Sequence, residues 1–302
     1  MKGTKNSGAL KFWLAGGLVL LLLLGGCLFY ILKGHAADSP AGSLLPSPQE
    51  GVLTVYMLDV GQGDALLLIS PEGKTLLVDT GSADKAETVL GALQSLGIEK
   101  LDVLLLTHRH EDHAGGAANL VQKIKVGKVY FTGDLSAYGG NLEQILSRRR
   151  ILAEALYAGM KTSWSEACAI EVLSPFSDRF MGDENDGSAV VQVRFENSSL
   201  LLCADATIDT ERLLLALYPL STLRCSAIKL GHHGSSTSSS EAFLLAADPA
   251  LALLSVGAGN DYGHPAPSVL AALEALNIPY ISTAEAGTVQ IVLDGSGARV
   301  IK

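Results

Sequence analysis

The sequence predicts an α/β fold carried behind an N-terminal transmembrane helix. Three observations predict it. Apolar runs of strand length alternate with helical stretches over residues 52–302, chemistry-bearing residues follow the ends of several of those runs, and Phe12–Leu32 is long, apolar and uncharged.

The N-terminal run comes first. Its 21 residues, 12–32, suffice to cross a bilayer core of about 30 Å as a helix. Lys2, Lys5 and Lys11 precede it, so the positive-inside rule makes residues 1–11 a cytoplasmic tail and sends the remainder outward. Leu24-Gly25-Gly26-Cys27 is similar to a lipoprotein cleavage box, but Leu28–Leu32 continues the apolar run, which favours an uncleaved signal anchor. Residues 33–51, rich in Ala, Ser, Pro and Gly, read as a flexible tether in which His35 is not a ligand. A single domain then occupies residues 52–302, at the cell membrane and outside it.

Within the domain, Thr75–Val78 reads as a strand ending at Asp79-Thr80-Gly81. Ala83–Leu96 is an amphipathic helix, with Ser82 as N-cap and Gly97 as its stop. The apolar run Leu101–Leu106 leads into Thr107-His108-Arg109-His110-Glu111-Asp112-His113-Ala114-Gly115-Gly116. Asn141–Ala158 reads as a second helix, and Arg148-Arg149-Arg150 on it fans around nearly a full turn, as on a solvated face. Two later runs end in Asp205 and in His232-His233-Gly234-Ser235. A helix beginning near Ser238 leaves Ser235, Ser236 and Thr237 as caps or phosphate donors.

The turn after Leu106 holds three imidazoles and a carboxylate within six residues, a density that core packing does not explain. His108 and His110, two apart, share one face of an extended segment and can hold one cation. Asp112 and His113, in a turn that Gly115 and Gly116 permit, can face a second. Imidazole with one carboxylate suits zinc, and manganese or iron is also accepted. Asp79 and Asp205, taken singly, are as readily turn formers as ligands. Asp59 and Asp64 flank Gly61-Gln62-Gly63 and read first as turn residues, with Asp64 also able to face the metal edge.

A net charge of −9 disfavours tight binding of long nucleic acid, which depends mainly on Lys and Arg neutralising phosphates. Bound divalent cations would still create a local positive site able to act on one phosphodiester at a time. Of the four cysteines, Cys27 belongs to the membrane run and Cys203 to a core strand, so Cys168 and Cys225 are the pair considered for a bridge.

The motif His108-x-His110-x-Asp112-His113 resembles the signature of the metallo-β-lactamase superfamily. Leu58–Ala65, Lys229–Ser235 and Asp261–Pro265 resemble, in order, the extracellular hydrolase domain of ComEC competence proteins. The resemblance implies an αββα metallo-β-lactamase sandwich with two divalent metal ions at one edge. His108 and His110 would hold the first, Asp112, His113 and His232 the second, and Asp205 would bridge them. No His lies between His113 and His232, so the third imidazole many members give the first metal is missing, as in the ComEC-like branch; Asn185 or Asp186 stand as extra ligands. Asp79 resembles the buried carboxylate that orients a ligand imidazole, and His233 and His264 are candidate proton donors or phosphate contacts.

The implied activity is an extracellular metal-dependent phosphodiesterase or nuclease, acting on a phosphodiester substrate such as single-stranded DNA. A phosphorylcholine-esterase-like enzyme, a β-lactam or lactone hydrolase, and a non-catalytic binding domain are the alternatives. Transport would need a separate channel protein as partner.

Overall fold

The computed structural model describes residues 45–176 and 184–301; the segments expected to be a cytoplasmic tail and a signal anchor, with Cys27 and His35, lie outside them. Among the described residues no helix is long and apolar enough to cross a membrane. Within the stretch expected to be a tether, Pro46 O accepts from Tyr56 Oη at 2.6 Å and Ser47 O from Gln290 Nε2 at 3.0 Å, which lays these residues against the first sheet.

The strands in chain order are β1 (Leu53–Met57), β2 (Leu66–Ile69), β3 (Thr75–Val78), β4 (Lys100–Leu105), β5 (Lys125–Phe131), β6 (Leu152–Ala155), β7 (Lys161–Ser163) and β8 (Cys168–Ser174). Then follow β9 (Val190–Phe195), β10 (Ser198–Leu202), β11 (Ala227–Lys229), β12 (Leu251–Leu254), β13 (Tyr280–Ser282), β14 (Val289–Leu293) and β15 (Ala298–Val300). They form an eight-stranded sheet, β15-β14-β1-β2-β3-β4-β5-β6, and a seven-stranded sheet, β13-β12-β11-β10-β9-β8-β7. Strands β3 to β6 pair in parallel, as do β10 to β13.

Alternation along β3 shows the layering. Leu76 and Val78 join Val172, Val191 and Leu253 in a core between the sheets. Leu77 points the other way, onto Val89, Leu93 and Leu120 of the helices α1 (Ala86–Ser95) and α3 (Ala117–Lys123) that follow β3 and the short α2 (Glu111–Ala114). On the far side Ile228 and Ala252 pack against Leu214, Phe243 and Leu273. Their helices, after α4 (Leu142–Arg149), are α5 (Ile208–Leu217), α7 (Glu241–Ala247) and α8 (Pro267–Ala275), with the single turn α6 (Leu220–Leu223) between. Helices therefore cover both outer faces of two packed sheets, the expected αββα order, because strands buried on both faces need covering on both.

Four local expectations change. The helix expected over 141–158 stops at Arg149: Arg150 turns left-handed (φ 56°), and Leu152–Ala155 extends to pair in parallel with β5. Ser82 does not cap its helix, since its hydroxyl bonds Asp84 Oδ1. The helix expected near Ser238 begins at Glu241, where Ser240 Oγ accepts from Phe243 N. Cys168 and Cys225 are free thiols. They lie in different layers, Cys168 between the sheets and Cys225 beneath the outer helices.

Candidate metal centre

The site gathers at one edge of both sheets, where the turns after β3, β4, β10 and β11 meet. Parallel strands run in one direction, so their carboxyl ends present neighbouring loops to the same edge. The loop between β1 and β2 joins them: Asp64 N donates to Asp112 O at 3.0 Å, and Gly63 lies so close beneath that a Cβ there would sit 2.4 Å from the same oxygen.

The two imidazoles of the first group converge. His108 Nε2 lies 3.1 Å from His110 Nδ1 and 3.9 Å from Asp205 Oδ2. Their other nitrogens are engaged outward, His108 Nδ1 with Thr107 Oγ1 at 3.2 Å and His110 Nε2 with Glu184 Oε2 at 3.2 Å. Thr107 Oγ1 itself donates to Asp79 Oδ2 at 2.6 Å, so its proton is spent and His108 Nδ1 must be the donor. A carboxylate only accepts, so His110 Nε2 carries the proton on that ring. Both inward nitrogens are thus bare lone pairs.

The second group repeats the pattern. His113 Nδ1 donates to Asp79 Oδ2 at 2.8 Å, and His233 Nδ1 donates to the Ser255 carbonyl at 3.0 Å. Their Nε2 atoms then face each other at 3.3 Å, with Asp205 Oδ1 at 3.1 and 3.6 Å and Asp112 Oδ2 3.2 Å from His233. Lone pairs and carboxylate oxygens converging in this way require a cation, either protons on the rings or a metal. Asp205 Oδ1 is buried without a hydrogen bond, which fits a ligand atom. Two donor sets result, Asp64, His113, Asp205 and His233, and His108, His110 and Asp205, with Asp205 common to both.

The field at the second group is strongly negative. Burial would lower His233, but Asp205, Asp112 and Asp64 push it up to about 9, and Asp205 and Asp79 likewise raise His113. His108 is carried well below the ordinary imidazole value by burial and by His113 beside it. Asp112 falls to about 2 because His233 and His113 outweigh its burial.

Other residues singled out in the sequence lie around the two donor sets and not in them. Asp79, fully buried, holds His113 and Thr107 from beneath and does not reach the cavity. Asp186 accepts from Thr207 and Thr210, which fastens the start of α5. Asp59 stays a turn former, accepting from Gly61 N at 3.1 Å. Ser235 and Thr237 bond each other and Thr237 meets His232 Nδ1 at 3.3 Å.

Two functional partners escaped sequence reasoning. Lys229, fully buried on β11, pairs with Asp64 and reaches Ala204 O at 3.3 Å. Its position at the end of a core strand, where a lysine has no business without a buried carboxylate, was the available signal. Glu184 orients His110 and pairs with Arg109. Nothing in the sequence ties it to residues more than 70 positions earlier.

The terminal histidines exchange the places expected for them. His233 enters the second donor set, while His232 Nε2 stays at the open side, 3.6 Å from Asp205 Oδ2. Both residues take left-handed dihedrals, φ 47° and 53°, in a loop pinned by His232 N to Ala204 O at 2.8 Å and Gly231 N to Ser239 Oγ at 3.1 Å. Strain of this kind persists only when the surroundings impose it. His233→Ala is therefore expected to shed one bound ion, and His232→Ala to keep its metal and lose turnover. Elemental analysis of both variants decides it, and full metal in His233→Ala would reverse the order.

Over the centre lies a cavity of about 340 Å³, lined by His110, Asp112, Asp205, His232, Tyr262 and His264 among others, including Asn185. A larger groove of about 550 Å³ near Ile208, Glu241 and Ala272 holds no imidazole and no donor set.

Residues 58–257 match the family described as the Metallo-beta-lactamase superfamily. The chain is similar to Competence protein ComA of Neisseria gonorrhoeae, 34% identical over 251 residues that cover 83% of this chain and 33% of the relative. It is similar also to ComE operon protein 3 of Bacillus subtilis, 28% identical over 78% of this chain and 32% of that one. It thus spans about a third of the length of these curated relatives. Among solved structures it shares its fold with Zn(2+)-bound PqqB from Methylobacterium extorquens, at 12% identity and a TM-score of 0.50 over 77% of this chain and 88% of that one.

Proposed function

The chain belongs to the metallo-beta-lactamase superfamily, and from that premise we propose that it is a metal-dependent phosphodiesterase of the nuclease type, anchored in the membrane with its hydrolase domain outside. The observation that carries the hydrolase reading is the pair of donor sets sharing Asp205 beneath one open cavity. The likeness to competence proteins is what favours a phosphodiester as substrate, and single-stranded DNA is the one we propose.

Divalent cations at these sets, zinc or manganese, would supply an acidified water and neutralise charge on the phosphoryl oxygens. The chain's own residues do the rest. Asp79, Glu184, Thr107 and the Ser255 carbonyl fix the tautomer of each inward imidazole, so that every ring offers a lone pair to the centre. His232 and His264, edge-on at 5.7 Å on the open side, are both depressed, first by burial. They are neutral at pH 7, which suits them to donate a hydrogen bond to a phosphoryl or leaving oxygen.

The anchor rests on the uncharged run 12–32 behind Lys2, Lys5 and Lys11. Passage of nucleic acid across the membrane belongs, on this reading, to a separate channel-forming partner.

The test is a substrate screen of the manganese- or zinc-loaded chain. A single-stranded oligonucleotide should be cleaved, with chelation abolishing turnover, and a chromogenic cephalosporin should not. Hydrolysis of p-nitrophenylphosphorylcholine without any cleavage of the oligonucleotide would replace the nuclease reading with a phosphorylcholine esterase.

A further inference from the structure

The rim of the cavity carries one large exposed ring. Tyr262 is 71% exposed, yet it lines the same cavity as His110, Asp112, Asp205 and His233. Its ring stacks on His264, with centroids 5.8 Å apart and planes at 27°, and His264 in turn meets His232 edge-on. One side chain, that of Asn260, ties the loop beneath to itself. Asn260 Oδ1 accepts from Tyr262 N and His264 N, each at 3.1 Å, and its Nδ2 donates to Gly257 O at 2.9 Å and His264 O at 2.6 Å. The backbone that carries the ring is thus tied down and the ring already rests on His264, an arrangement that lowers the entropy a bound partner has to offset.

Charge argues in the same direction. The chain carries a net −9, and the cavity lining contains Glu111, Asp112 and Asp205 but no Lys or Arg among its described residues. Affinity for a nucleic acid cannot then rest on neutralising a run of phosphates with basic side chains. An aromatic face offers a different source, because bases stack on it whatever their sequence and without a matching cation. A duplex hides base faces within its own stack, whereas an unpaired strand presents them. A cavity of about 340 Å³ is at the small end for ligand pockets and matches a nucleotide better than a helix. Tyr262 is the one Phe, Tyr or Trp among the lining residues, too few rings for a cage around a quaternary ammonium.

We propose that Tyr262, backed by His264, is the stacking shelf for a nucleobase beside the scissile phosphodiester, which makes unpaired nucleic acid the substrate of this site. The assignment rests on the phosphodiesterase reading given above. Tyr262 is a specificity residue: it holds the base, while the imidazoles below it, and the cations that the carboxylates would hold, would meet the phosphate.

A cycle of two substrates and two proteins tests it. The metal-loaded full chain and its Tyr262→Ala variant are assayed on a short thymidine oligonucleotide and on an abasic oligonucleotide of equal length. Stacking losses of about 1–3 kcal/mol per base correspond to roughly a 5- to 150-fold rise in KM. Removing either the ring or the base should give a rise in that range, with the effect falling on KM rather than kcat. Removing both should add little more, since the partners lose one shared contact. Tyr262→Phe should restore the wild-type KM. Multiplying losses, or a KM that ignores Tyr262→Ala, overturn the shelf while leaving the phosphodiesterase reading in place. Failure of the wild-type chain to cleave either oligonucleotide brings down that reading and the shelf with it.

Discussion

Asp205→Asn is expected to lose bound metal from both donor sets and to lower phosphodiester turnover by about three orders of magnitude, on the order of 4 kcal/mol in barrier. Asp205 is the one residue common to the two sets, 1% exposed, with Oδ1 toward His113 and His233 and Oδ2 toward His108 and His232. Asparagine keeps the shape but removes the charge, and it turns one of the two oxygens into a donor that cannot face a cation. The fold should survive, because Asp205 N still donates to Ser188 Oγ at 3.3 Å and the apolar run before it is untouched. Elemental analysis and single-turnover kinetics read the two effects separately. An asparagine variant with two ions per chain and ordinary turnover would sink the shared-bridge assignment.

Lys229→Met should produce the largest loss of stability at a single position outside the apolar core. Lys229 and Asp64 are each 1% exposed and paired. Burial would raise the Asp64 carboxyl, but Lys229, His233 and His113 hold it below the usual carboxylate range, so it stays ionised. Removing the ammonium leaves a buried charge, a change that typically costs about 3–5 kcal/mol. For a domain of this size that corresponds to a Tm lower by roughly 6–20 °C. Asp64→Asn/Lys229→Met, which removes both charges, should recover much of the loss. Thermal and denaturant unfolding with and without metal measure it. A drop below about 1 kcal/mol would show that His113 and His233 alone satisfy Asp64, and that the lysine is dispensable.

Much of the site was legible because ligand chemistry and strand exits are both local properties. His108, His110, Asp112 and His113 sit within six residues of one another, and the runs before Asp79, Asp205 and His232 announce strands by composition alone. The helix over 141–158 failed for a complementary reason. Arg150 closes the helix as its left-handed C-cap, and the four residues after Ile151 take their conformation from β5, a neighbour more than 20 positions away, so local propensity yields to that pairing. The thiols of Cys168 and Cys225 could not be separated by counting, because the layer a strand residue faces depends on which sheet receives the strand.

The sequence by itself determined the α/β class and pointed to His108, His110, His113 and Asp205 at one edge, since these follow from periodicity and from residue chemistry, whereas the second donor set holds Asp64 and His233 where the sequence reading placed Asp112 and His232. Only the tertiary structure decided which of two adjacent histidines turns inward. His232 and His233 share one local environment and one backbone region, and their directions are set by Ala204 O, Ser255 O and Asp205, which lie 22 or more residues away or on another strand. The same holds for Lys229 with Asp64 and for Glu184 with His110, contacts 165 and 74 positions apart in the chain. Electrostatic pairing acts through space at a few ångströms, and no periodicity along the chain records it.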